Sequence, residues 1–173
     1  MVAVASLTDF AKLDTLRGDR AANNRVRKIS YHLELARRAG FQPSEIIAEG
    51  YELNGGAGSR RAQESTTASL ANHRDLSAWG CFDAEGMTNL RRGRAPTIKR
   101  GLFTGQIVTV DHTLPRSIVP ELDEALYNLR VMPEAANQSK GNSITPEAIE
   151  TARGWQPGGL PSEQGFEAVG EVR

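Results

Sequence analysis

A chain of 173 residues carries 21 lysines and arginines against 21 aspartates and glutamates, so its formal charge is zero and no whole-molecule field draws it to polyanions. It is long enough to bury a core unaided, and its single cysteine, Cys81, excludes an internal disulfide framework and the paired cysteine knuckles of structural zinc. The start, MVAVASLTDFAKL, lacks the basic and then apolar run of an export signal, and no stretch nears the ~18 uncharged apolar residues of a membrane span; the expectation is a soluble cytoplasmic chain with no membrane partner, although a chain trimmed of its signal would look the same.

Phe10, Leu13 and Leu16 recur every three positions after a capping Thr8 or Asp9, which predicts a short first helix stopped at Gly18. A stronger one follows. Val26, Ile29, Leu33 and Ala36 form one apolar face, with Asn23 or Asn24 as cap, the basic pair Arg37 and Arg38 in the last turn and Gly40 as terminator. Residues 43–53, PSEIIAEGYEL, read as a third helix opening on proline. The Gly, Ser and Thr rich run 54–67 has no apolar periodicity and reads as a mobile loop or linker. Leu70, Leu76, Trp79 and Phe82 then suggest an irregular helical segment.

Five cations, Arg91, Arg92, Arg94, Lys99 and Arg100, fall within one short stretch that contains no acid, a local patch suited to phosphate contacts. Gly101 and Gly105 bracket a turn, so that Thr97–Ile98 and Gln106–Val110 are expected to pair as short strands. Asp111 and His112 stand where the second of these runs ends, ahead of Pro115. A further β-run, LYNLRVMP, carries Asn128, and PEAANQSKGN reads as a helix opening at Pro133 and Glu134 that bears Asn137 and Lys140. From Gly154 the chain is rich in Gly, Pro and Glu and is expected to be extended or partly disordered.

Strand, Asp-His, turn, strand and helix make a unit able to gather an acid, an imidazole, two amides and an ammonium into one cleft. Hydrolysing a phosphodiester needs such a set, because water must lose a proton, the phosphorane charge must be neutralised and the leaving oxygen stabilised. With an ordinary pKa of about 6.5, His112 is the group able to accept that proton at neutral pH. Asp111 and the Asn137 amide oxygen are hard ligands suited to Mg²⁺ or Mn²⁺. Lys140, three residues after Asn137 and so on nearly the same helical face, can hold phosphate. His32 and His73 have no motif around them, and Cys81 reads as a small buried apolar residue.

The run VDHTLPRS, then LYNLRVMP, then NQSKGN resembles the HNH endonuclease motif, the ββα-metal or His-Me finger core, over roughly residues 94–145. The resemblance implies Asp111 and Asn137 as metal ligands, His112 as general base, Asn128 as the brace of that base, and Mg²⁺ favoured over Zn²⁺ by the oxygen ligand at the third position. It says nothing of residues 1–85; joined to the helices read there from apolar periodicity, it leads to the expectation of an α+β chain: a mainly helical region (1–85) packed on the nuclease core (86–153), followed by a tail (154–173). The expected function is a metal-dependent endonuclease, acting on DNA more readily than RNA, that leaves 5′-phosphate and 3′-hydroxyl ends. Arg91, Arg92, Arg94, Lys99, Arg100 and Arg116 would contact nucleic acid. Specificity should be low, since no zinc finger, helix-turn-helix signature or aromatic stacking platform is evident. A non-catalytic nucleic-acid-binding module on the same fold, and a toxin or effector nuclease held by an immunity partner, are the alternatives.

Overall fold

Apolar residues at helical spacing build most of the chain, seen in a computed structural model that describes residues 2–16, 21–141, 143–155, 167 and 169. The order is α1 (Val2–Thr8), α2 (Phe10–Leu13), α3 (Ala21–Arg38), α4 (Pro43–Leu53), α5 (Arg60–Ala78), α6 (Ala84–Arg91), β1 (Val108–His112), β2 (Leu129–Pro133), α7 (Glu134–Lys140) and α8 (Pro146–Trp155). The fold is α+β, mostly helical, with one two-stranded antiparallel sheet among the described residues.

Helix α2 is capped as expected: the Asp9 carboxylate accepts from the backbone N–H groups of Ala11 and Lys12. Its proposed stop, Gly18, lies outside the described residues. Helix α3 begins at Ala21, ahead of both asparagines expected to cap it, and buries Val26, Ile29 and Leu33. It ends before Gly40, whose φ of 89° is left-handed backbone that glycine adopts without a steric penalty. Helix α4 has the expected bounds.

The largest correction falls on residues 54–67. Only the start of this run is a loop; from Arg60 it is the first half of α5, capped by Ser59, whose hydroxyl accepts from the Ala62 N–H at 3.2 Å. The buried face of α5 is Ala62, Ser65, Ala68, Ser69, Asn72, His73 and Leu76. These residues recur at helical spacing, but most are small or polar, so the stripe carries little hydropathy. Small side chains here let neighbouring backbones approach closely. Helix α6, not expected from the sequence, is capped by Asp83, whose Oδ1 accepts from the Gly86 N–H at 2.7 Å.

Before the hairpin, the expected pairing of 97–98 with 106–110 reduces to one antiparallel bridge, Thr97 with Ile107. The strands proper are β1 and β2, in a register that sets Val108 opposite Pro133, Val110 opposite Val131, Asp111 opposite Arg130 and His112 opposite Leu129. Because side chains alternate across a strand, Val108, Val110, Leu129 and Val131 face one way, while Thr109, Asp111, Arg130 and Met132 face the other. The first face joins a core that includes Val4, Ile29, Leu33, Ile47, Leu76 and Leu90, so the helical region and the hairpin share one hydrophobic cluster.

Asn72 makes the junction specific. Its Nδ2 donates to the Leu129 carbonyl at 2.9 Å and its Oδ1 accepts from the Val131 N–H at 3.0 Å, so a buried amide on α5 completes the free edge of β2. A second cluster, with Leu114, Val119, Leu122, Tyr127, Ala152 and Trp155, packs the β1–β2 connection under α8. The expectation of an extended tail from Gly154 fails at its start: Gly154 and Trp155 are in α8, and the Trp155 Nε1 donates to Glu64 on α5 at 3.2 Å. Most of the remaining tail lies outside the described residues. No helix among them is long and apolar enough to cross a membrane.

Candidate functional site

The strand has the expected five residues but lies two positions later, at Val108–His112, so Asp111 and His112 are the last two ladder residues of β1 and not the first residues of the turn. Alternation sends their side chains to opposite faces. Asp111 turns to the face that α7 covers, and His112 toward the long connection that leads to β2.

The His112 imidazole is held by Asp123. Nε2 stands 3.0 Å from the Asp123 carbonyl and 3.0 Å from its carboxylate Oδ1. A carbonyl and an ionised carboxylate can only accept, so neutral His112 must carry its proton on Nε2. Nδ1 is then the basic atom. Asp123 escaped the sequence reading because it lies in the connection with no motif around it; only the fold brings it to the imidazole. Next to it, burial, and after that the Asp123 charge, push the Glu124 carboxyl up, and Glu124 Oε2 is buried with no hydrogen-bond partner among the described residues.

Asn128 is wholly buried and holds the connection closed. Its Oδ1 accepts from the Leu114 N–H at 2.8 Å, and its Nδ2 donates to the carbonyls of Leu114 at 3.0 Å and Leu122 at 3.2 Å. The backbone contributes a further bond, from the Thr113 N–H to the Asn128 carbonyl at 2.7 Å. Asn128 thus ties the residues that follow His112 to the residue before Asp123, so it shapes the loop between them.

Lys140, the last residue of α7, reaches back across the hairpin. Its Nζ donates to Asp111 Oδ2 at 2.7 Å and to the His112 carbonyl at 2.9 Å. Two oxygens converging on one ammonium mark a spot where a cation is stable. Asn137 is half-buried one turn earlier on α7, on nearly the same helical face. One carboxylate and one amide oxygen are a hard donor set that fits Mg²⁺ or Mn²⁺, ions that keep several waters or phosphate oxygens in their shell. Among the described residues, no group of three or more His, Cys, Asp or Glu is arranged to hold a metal ion.

Two clefts open beside His112 and Lys140, and Asn137 lines neither. One, of about 360 Å³, is lined by Asp111, His112, Lys140, Arg116 and Asn23. The other, of about 400 Å³, runs past His112, Lys140, Arg130, Tyr127 and Trp155. His112 and Lys140 belong to both. Arg116 is brought into the site, with its Nη1 3.8 Å from Asp123 Oδ2.

The basic stretch is not brought into either cleft. Lys99 pairs with Glu85 at 2.8 Å and Asp83 at 3.8 Å, while Arg100 packs over Gly80 and lines a separate hollow with Arg37 and Arg38. Arg91, Arg92 and Arg94 are exposed around Gly93, whose carbonyl accepts from Arg27 Nη1 on α3 at 3.2 Å. Asn24 packs against the same glycine, one residue beyond the Asn23 that lines the cleft. His73 is buried on Phe82 and bonded to Glu34, and Cys81 is wholly buried, with burial pushing its thiol up to about 12. Compared with protein-family models, with curated proteins and with solved structures, the chain matches none of them.

Proposed function

We propose that this protein is a metal-dependent endonuclease of the HNH kind, with nucleic acid, DNA before RNA, as substrate. The observation that carries the reading is the His112 imidazole, oriented by Asp123 so that its basic Nδ1 is left for a reacting water at the mouth of a cleft that also holds Asp111, Lys140 and Arg116. Asp111 and His112 end β1, Asn128 closes the connection in a 3-10 turn just ahead of β2 and not in the strand expected to carry it, and Asn137 and Lys140 lie on α7; this order along the chain supports the reading.

His112 takes the proton as water adds to phosphorus, and Nε2–H donates to Asp123 throughout, which steadies the imidazolium that forms. The bond to the 3′-oxygen then breaks, and the leaving alkoxide takes a proton from solvent water, leaving a 5′-phosphate and a 3′-hydroxyl. Arg116 and Lys140 supply positive charge to the phosphate, and Asn128 keeps the loop from collapsing onto the base. A divalent cation held by Asp111 and Asn137, Mg²⁺ by the chemistry of the donors, would contribute charge neutralisation at the phosphorane and the leaving oxygen. The exposed arginines 91, 92 and 94, beside the start of α3, are suited to duplex phosphates farther from the cut.

Supercoiled plasmid incubated with the protein and Mg²⁺ or Mn²⁺ should be nicked and then linearised, and EDTA should stop it. His112→Ala should lower the rate ~10²–10⁴-fold, the usual contribution of a positioned base. Plasmid left intact with every metal, or cleaved at full rate by His112→Ala, would overturn the assignment; retention of DNA without cleavage would point to the non-catalytic binding module.

A further inference from the structure

We propose that Lys140 is the resident counter-ion of the metal site, so that divalent cation and nucleic acid load as a coupled pair. The inference rests on the reading that Asp111 and Asn137 hold the metal. The Asp111 and Lys140 side chains are 18% and 15% exposed, and a carboxylate so shielded from water is stabilised by a cation against it. Lys140 Nζ is that cation, seated between Asp111 Oδ2 at 2.7 Å and the His112 carbonyl at 2.9 Å.

A divalent ion that takes Asp111 Oδ2 displaces this ammonium. Asp111 is the single acidic residue lining that cleft among the described residues, while Lys140 and Arg116 are both cationic. A metal entering alone would thus leave an ammonium without its carboxylate beside a new double positive charge, in a partly desolvated cleft. A phosphodiester removes the conflict. Its anionic oxygens can take the released Lys140 and also fill metal positions that two protein ligands leave open. Lys140 is placed for the exchange: it ends α7, Gly141 follows at a φ of 52°, and its flexible stem can carry Nζ from Asp111 into the cleft shared with Arg116. By linkage, nucleic acid must then raise metal affinity by the same factor that metal raises nucleic-acid affinity.

Mn²⁺ titrations followed by electron paramagnetic resonance of the free ion test this without cleavage if all chains carry His112→Ala, which preserves the backbone carbonyl. The parent variant should bind Mn²⁺ about tenfold more tightly with a short DNA duplex than without it. Adding Lys140→Met, or Lys140→Gln should the first variant fold poorly, should tighten duplex-free Mn²⁺ binding about tenfold and shrink the gain from the duplex. Unchanged or weaker duplex-free binding in both Lys140 variants would overturn the exchange while leaving the metal site standing. Adding Asp111→Ala to the parent variant separates the two ideas: Mn²⁺ binding that survives it, or no Mn²⁺ binding by any chain, overturns the metal site itself and the exchange with it.

Discussion

His112 Nε2 and Asp123 form a double contact, carbonyl and carboxylate each 3.0 Å from the same ring nitrogen. The two acceptors differ in what mutation can remove. Asp123→Ala deletes the carboxylate and keeps the carbonyl, so the tautomer survives but the stabilisation of the imidazolium is lost. A charge-assisted bond on a partly exposed pair is worth about 1–2 kcal/mol, which corresponds to a rate about 5–30-fold lower with little change in KM. Asp123→Asn should fall between that variant and the native chain. Single-turnover cleavage rates would measure this, and a rate indifferent to both substitutions would show that the carbonyl alone orients the base.

Asn128→Ala should cost both stability and rate. The substitution strands the Leu114 N–H and two carbonyls in a site with no access to water, and each unmet group costs ~1–3 kcal/mol. A drop of about 3 kcal/mol in urea unfolding is expected, with a cleavage rate lowered in the fraction that remains folded. Asn128→Asp keeps the acceptor but replaces both donors, so it should be at least as damaging. If Asn128→Ala melts with the native chain, the loop is held by the packing of Leu114 and Leu122 instead.

The local parts of this fold were legible where one face carries the whole signal. Proline at the first position, followed by Ile46, Ile47 and Tyr51, marks α4 to the residue. Asp111, His112, Asn128 and Lys140 could be picked out because each falls in an element with its own local pattern. Helix α5 was half hidden because Ala62, Ser65 and Ser69 bury themselves by being small, which a hydropathy pattern reads as loop. Asp123 and Asn72 were hidden for another reason. Their partners, His112 and the edge of β2, are distant in sequence, and a polar residue whose bond is made by tertiary folding leaves no periodic trace. The same holds for the pairing of Lys140 with Asp111, which the sequence placed on one site but not on each other.

Asn72→Ala should show how far the hairpin depends on the helices. It opens two backbone groups of β2 and leaves a small void in the shared core, for a loss of about 2 kcal/mol. Because β1 and β2 form the whole sheet, hydrogen exchange at Leu129 and Val131 should accelerate more than exchange within α3 or α4. Equal acceleration everywhere would mean that hairpin and helices open only together, as one cooperative unit.

Acid sensitivity should trace to Glu34, far from any apolar explanation. Burial pushes its carboxyl up, but hydrogen bonds from Arg37, Arg38 and His73 outweigh that and hold it at about 2, below an ordinary value of 4.5. Its carboxylate is 1% exposed and takes two bonds from Arg37 and one from Arg38, all at 2.8 Å. A folded pKa below the unfolded one means that the unfolded chain binds the proton first as pH falls. The stabilisation is therefore complete above pH 4.5 and is lost as pH drops from there toward 2. Both arginines are about half exposed, so solvent screening reduces the gain to roughly 1–3 kcal/mol. His73 adds to the same trend a little earlier: burial holds its imidazole below the ordinary 6.5, so protonating it on acidification also favours unfolding. Thermal melts of the native chain should fall steadily between pH 6 and pH 3, whereas Glu34→Gln should start lower at neutral pH and lose less over the same range. A parallel decline in the two proteins would place the acid-labile group elsewhere.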